Sequence, residues 1–185
     1  MKLILASNSP RRKEILTKYG YEFSVIPSTF DEIGEKETPK KTVEFYALSK
    51  AQDVFDKLRD QRAVVLGADT VVCLEGEILG KPKNKIDAVN MLKKLSGKTH
   101  QVITAYAIIK KDQKMVNSVT TSVTFNQLTD NLITEYVNTG LPLDKAGSYG
   151  IQDGFNLVKE YEGSLNNVIG LPIENIKPYL DKFLK

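Results

Sequence analysis

The chain has 185 residues, 41% hydrophobic and 26% charged, with 26 Lys and Arg against 23 Asp and Glu for a net charge of +3. Such balance is that of a soluble globular protein, expected as one domain over residues 1–185, and it argues against a nucleic-acid coat or a charge-driven membrane adhesin. One cysteine, Cys73, and one histidine, His100, leave no intrachain disulfide and no Cys/His zinc site.

In chain order, Leu3 to Ala6 is a short apolar strand. Its four-residue run is far too short for a signal peptide, and no stretch approaches the roughly 20 apolar residues of a membrane-spanning helix. A cytoplasmic location is therefore the expectation, with no membrane partner. Ser9 and Pro10 are the N-cap and first residue of a helix to Lys18, which stops at Tyr19-Gly20. Tyr21 to Ile26 is a second strand, and Pro27 to Pro39 an acidic loop holding Asp31-Glu32. Val43, Ala47, Ala51, Val54 and Leu58 recur at helical spacing and predict a long helix over Thr42 to Arg59. Ala63 to Leu74 is a buried strand interrupted at Gly67-Ala68-Asp69-Thr70, and Glu75-Gly76-Glu77 a hairpin tip. Asn84 to Leu95 is helical and stops at Ser96-Gly97. His100 to Ile109 and Met115 to Phe125 form a long hairpin. Thr129 caps a helix reaching Asn138. Phe155 to Glu160 and Asn167 to Ile169 read as strands, and Pro172 opens a closing helix. Crossovers and hairpins together predict an α/β fold with a mixed sheet.

The chemistry starts at Arg11 and Arg12. Both fall in the first turn of a helix, where backbone N–H groups already concentrate positive charge and cations are unfavourable. An incoming anion resolves the conflict, and arginine forks match phosphate oxygens. Pairing with carboxylates elsewhere is the plain alternative. Asp69, a lone acid after an apolar run among small residues, reads as a general base or metal ligand at a strand end, or else as a turn aspartate. Asp31-Glu32 offers hard oxygen ligands of the kind magnesium takes, though acidic loops are usually only solvated. Lys50 and Lys81 are phosphate-binding candidates, with Pro82 stiffening the turn beside Lys81. In Ala146-Gly147-Ser148-Tyr149-Gly150-Ile151-Gln152, glycines bracket an aromatic ring and an amide able to meet a base edge; an ordinary glycine-rich turn is the alternative. His100 and Cys73 read as structural.

Taken together, Ser7-Asn8-Ser9-Pro10-Arg11-Arg12, Asp31-Glu32, Lys50-Ala51, Gly67-Ala68-Asp69-Thr70-Val71-Val72, Gly80-Lys81-Pro82, Lys145 to Gln152 and Gly170-Leu171-Pro172 closely resemble the Maf family of nucleoside triphosphate pyrophosphatases over nearly the whole chain. The resemblance implies an inosine-triphosphate-pyrophosphatase-like fold, an elongated mixed sheet flanked by helices with a central cleft. It implies a cytoplasmic enzyme that hydrolyses a nucleoside triphosphate to the monophosphate and pyrophosphate with a divalent cation, Mg²⁺ or Mn²⁺, and a homodimer as an expectation. Asp69 matches the family's proton acceptor. Ser7, Arg11, Arg12, Glu32, Lys50 and Lys81 match phosphate- and metal-handling positions, with Glu32 and Asp69 as the metal pair. Arg11, Thr70 and Gln152 match the branch acting on dTTP and UTP. An amide at Gln152 suits the carbonyl and N3–H of a pyrimidine, whereas a carboxylate would suit guanine. The sequence departs from the branch after Gln152, where Asp153-Gly154-Phe155-Asn156 replaces a longer glycine-rich run and brings a negative charge toward the base pocket. Two other functions compete: a nucleotide-binding regulator of cell division with incidental catalysis, and a pyrophosphatase for a purine such as inosine or methylguanosine triphosphate.

Overall fold

The computed structural model describes residues 1–34, 36–58 and 62–185. Strand β1 (Leu3–Leu5), helix α1 (Pro10–Lys18) and strand β2 (Phe23–Val25) form a parallel crossover unit. Helix α2 (Pro39–Lys57) leads into β3 (Val64–Leu74), which lies parallel to β1 on its other side. A two-residue turn, with Glu75 at φ 52° and Gly76 at φ 87°, folds β4 (Glu77–Leu79) back on β3. Two consecutive positive φ angles are what a tight hairpin of this hand requires. After α3 (Lys85–Leu95) come the long hairpin β5 (Thr99–Lys110) and β6 (Gln113–Phe125), then α4 (Asp130–Asn138), β7 (Val158–Glu162), α5 (Leu165–Ile169) and α6 (Ile173–Phe183). The seven strands make one mixed sheet in the order β2-β1-β3-β5-β6-β7, with β4 beside β3.

Alternation along β3 divides the core. Val65, Val71 and Cys73 point to one face and pack under Val43, Ala47, Ala51 and Val54 of α2. On the other face, Leu66 and Ala68 pack with Ile15 and Leu16 of α1 and Ile176 and Leu180 of α6. Farther along that face, Val72 and Leu74 pack with Leu92 of α3 and Ile133 and Val137 of α4. Each buried Val, Leu or Ile among them contributes roughly 1.5–3 kcal/mol by leaving water.

The position of the site follows from register. β1 pairs with β3 only at Val64 to Leu66, and β4 only at Val72 to Leu74. Residues 67–71 are paired to β5 on one side and, among the described strands, to nothing on the other. The sheet therefore has a notch, and β3 crosses its floor.

Several elements differ from the sequence reading. β3 is not interrupted: Gly67, Ala68, Asp69 and Thr70 pair in register with Ala107, Tyr106, Ala105 and Thr104. The small residues are there because α2 crosses close by. A Cβ on Gly67 would stand 2.4 Å from the Ala47 carbonyl oxygen and 2.8 Å from the Ala51 nitrogen. Asp69 is thus mid-strand, neither at a strand end nor in a turn. The segment Asn167 to Ile169 is helical, because Ser164 caps a single turn by accepting from the Asn167 N–H (3.0 Å) and Gly170 ends it at φ 120°. The last strand runs Val158–Glu162; Phe155 is diverted by the turn at Gly154 (φ 81°) and packs its ring 4.6 Å from that of Tyr136. The predicted end of the long helix at Arg59 lies outside the described residues.

Candidate active site

A cleft of about 860 Å³ opens at the notch. α1 starts at its rim in the predicted way: the Ser9 hydroxyl faces the Arg12 N–H at 3.5 Å, Pro10 is the first helical residue, and no acid occupies the first turn. The two arginines then diverge. Arg12 turns inward along the notch and donates to the Gly170 carbonyl (2.9 Å), the Ala68 carbonyl (2.9 Å), Ser7 Oγ (3.1 Å) and Thr70 Oγ1 (3.2 Å). Four of its N–H bonds go to the protein, so the guanidinium fills in for the absent strand while keeping its charge at the cleft wall. Arg11 crosses the cleft mouth to Asp144 at 2.9 Å. Partial desolvation at the cleft mouth works against that exposed carboxylate's charge, but the Arg11 hydrogen bond and charge outweigh it and hold Asp144 below the ordinary range.

Thr70 was expected among specificity residues. It lines the cleft, yet its hydroxyl is committed to a relay. It accepts from Arg12 and lies 2.9 Å from Thr104 Oγ1, which itself donates to the Asn167 carbonyl (2.9 Å). With the Thr104 proton so used, Thr70 is the donor to Thr104. Thr70 thereby also fixes the orientation of the Arg12 guanidinium.

On the opposite face of β3, Asp69 is buried, 6% exposed, and points at α2. Lys50 Nζ lies 2.6 Å from Asp69 Oδ1 and is also paired with Glu32. Burial pushes the Asp69 carboxyl above the ordinary carboxylate range, against the pull of Lys50. Glu32 is exposed and sits in a stretch without regular secondary structure, where the Ser28 hydroxyl and the Thr29 N–H each donate to Asp53 at 2.8 Å. Asp31 is exposed and does not line the cleft.

A divalent cation fits this arrangement. An ammonium already bridges Glu32 and Asp69, so the two carboxylates are arrayed around positive charge. Among the described residues no three His, Cys, Asp or Glu side chains converge. One or two carboxylates completed by substrate oxygens and water is the usual magnesium environment.

At the far wall, Lys81, Tyr149 and Gln152 line the cleft. The Gly147 N–H donates to the Gly80 carbonyl (3.0 Å), tying the segment that carries Gln152 to the turn that carries Lys81. His100 does not line the cleft; its ring packs edge-on against Phe125 (5.0 Å) and Tyr149 (5.4 Å). Its Nε2 lies 2.7 Å from the Tyr149 hydroxyl, and burial depresses its pKa to about 4. It stays neutral and braces Tyr149. Cys73 is buried and free. The structure thus gathers Ser7, Arg11, Arg12, Glu32, Lys50, Asp69, Thr70, Lys81 and Gln152 around one cleft. Sequence reasoning missed Asp144, Thr104 and the Gly170 carbonyl as partners of the arginines and Thr70, because each is supplied from far along the chain with no local signal.

The profile of the Maf-like protein family matches residues 2–183. Among curated relatives, the dTTP/UTP pyrophosphatase of Clostridium botulinum is 45% identical, over 98% of this chain and 99% of that protein. That of Bacillus anthracis is 48% identical over 98% and 95%, and that of Thermococcus kodakarensis 46% over 94% and 93%. The same fold occurs in the dITP/XTP pyrophosphatase of Mycobacterium abscessus (TM-score 0.53, 15% identity, 100% and 99% of the two chains). It also occurs in the Ham1 protein of Staphylococcus aureus (TM-score 0.57, 14% identity, 98% and 99%). A match that runs almost end to end, with relatives sharing close to half their residues, makes this chain a member of the Maf family.

Proposed function

We propose that this protein hydrolyses dTTP and UTP to the monophosphate and pyrophosphate. The observation that carries the reading is the notch itself: one buried acid, Asp69, faces a cleft whose walls carry Arg11, Arg12, Lys50 and Lys81. A triphosphate brings about four negative charges, and phosphoryl transfer depends on neutralising them and on orienting the attacking oxygen.

In this reading Arg11, Arg12, Ser7, Lys50 and Lys81 hold the phosphates. Asp69 accepts the proton of the attacking water as its oxygen bonds to phosphorus and the bond to the pyrophosphate oxygen breaks. Its raised proton affinity suits a general base. Glu32 and Asp69 would hold Mg²⁺ or Mn²⁺, which when bound neutralises phosphate oxygens and acidifies water. Gln152, on the wall with Tyr149, meets the carbonyl and N3–H of uracil or thymine. A cytoplasmic location goes with these substrates, and no described helix is long and apolar enough to cross a membrane.

Pyrophosphate release from dTTP, UTP, CTP, dGTP, ITP and methyl-GTP, with Mg²⁺, Mn²⁺ or EDTA, tests the reading. Metal-dependent turnover highest on dTTP and UTP is expected, and Asp69→Asn is expected to abolish it while nucleotide binding survives by calorimetry. Preference for a purine overturns the base assignment; binding without turnover favours a nucleotide-sensing regulator; full turnover by Asp69→Asn removes that residue as the base.

A further inference from the structure

Asp153, the acid that departs from the family pattern beside Gln152, does not reach the pocket as a free charge. Its side chain is 7% exposed and its carboxylate is enclosed by two partners. The Tyr136 hydroxyl donates to Asp153 Oδ2 at 2.6 Å, and Lys145 Nζ lies 3.2 Å from the same oxygen. The Tyr136 oxygen in turn accepts from the Gly150 N–H at 2.9 Å. Tyr136 is fully buried on α4, and Lys145 is buried between the two 3₁₀ turns Leu141–Asp144 and Ala146–Ser148.

We propose that Tyr136, Lys145 and Asp153 form a buried tripod whose role is to position Gln152, making them positioning residues for nucleobase selection. The inference rests on the reading of the cleft as a nucleotide site with the base at Gln152. The tripod grips the chain on both sides of that residue. It holds Gly150 through its N–H, and it holds residue 153 through its side chain. The Asp153 N–H closes the loop on the Gly150 carbonyl at 3.1 Å. Clearance inside the loop is nil: a Cβ on Gly150 would stand 2.7 Å from both Asp153 carboxylate oxygens.

Buried polar groups keep such a geometry only when all are satisfied, and losing one partner costs far more than an exposed bond would. Burial and the neighbouring Asp153 charge hold the Tyr136 phenol protonated, so it remains a donor. Lys145 also donates to the Leu141 carbonyl and lies 3.3 Å from Asp144 Oδ1. Asp144 binds Arg11 across the cleft mouth. One short segment thus connects the residue facing the base to a residue facing the phosphates.

Tyr136→Phe keeps the ring, and its packing on Phe155, but removes the hydroxyl. With the full chain, kcat and KM are measured for UTP and for CTP, which differ on the pairing edge that an amide reads. The UTP-to-CTP ratio of kcat/KM is expected to fall about tenfold, carried by a higher KM for UTP, with kcat on UTP within about twofold of wild type. An unchanged ratio, or a parallel loss on both substrates, overturns the inference and leaves the tripod a structural device only. If Tyr136→Phe does not fold by far-UV circular dichroism, Asp153→Asn is read the same way, since it keeps an acceptor for Tyr136 and removes the charge facing Lys145. Wild-type enzyme preferring a different base overturns the pyrimidine assignment alone; the ratio of that base to its nearest competitor then reads the tripod.

Discussion

At Asp69, burial and the Lys50 ammonium pull the proton equilibrium in opposite directions, and burial wins. The consequence is measurable in rate. A base must be ionised to accept a proton, so the acid limb of kcat/KM against pH should fall at a pH above the ordinary carboxylate range of about 4. Lys50 favours the charged form, so Lys50→Met should move the limb of the residual activity to still higher pH. A limb that stays in place would show that another group sets it. Other single residues in the cleft are less free than their charges suggest. Arg12 gives most of its donors to protein carbonyls and hydroxyls, so an alanine there strips Ala68 and Gly170 of partners as well as removing charge. Arg11, tied to one exposed carboxylate, is the arginine a phosphate can recruit at smaller cost.

At the scale of elements, the fit between α2 and β3 decides where the acid stands. Gly67 lets the helix backbone come within contact of the strand, and Lys50 reaches Asp69 across that gap. Gly67→Ala should therefore destabilise the fold by about 3 kcal/mol, since the obstacles are backbone atoms that cannot rotate away. Urea denaturation measures it, and a loss under about 1 kcal/mol would mean the helix can shift freely. The same close approach explains why the strand was misread. A glycine and an alanine within an apolar run look like a break when only the chain is considered, and helix contact supplies the other reason for small residues. Elements with local signals were legible: the caps read at Ser9 and Thr129 each accept a hydrogen bond from the first turn they precede. The single turn Leu165–Ile169 hid behind β-branched residues, although Ser164 and Gly170 bracket it as cap and stop. The acids and cations of the cleft were legible from residue type and from family resemblance. Their partners were not, because Asp144 lies 133 residues from Arg11 and Gly170 158 from Arg12.

For the molecule as a whole, the cleft is cut into the sheet at the notch, and loops carrying Ser7, Glu32, Lys81 and Gln152 close around it. Strand β3 carries Asp69 through the centre, and β5 and β6 back it along most of its length. Glu32 is exposed on a segment outside the regular elements and is joined to Asp69 through Lys50. The two carboxylates therefore belong to opposite ends of the scale of local unfolding. Backbone opening at Asp69 requires breaking the sheet, whereas the Glu32 segment can detach at a fraction of the global free energy. Modest urea should then extinguish turnover while circular dichroism still reports an intact sheet, and saturating nucleotide with magnesium should bring the two midpoints together. Coincident midpoints without ligand would show that no segment needed for turnover opens ahead of the sheet. If they separate, the enzyme's working limit under stress is set by a tether of a few residues, long before the fold itself gives way.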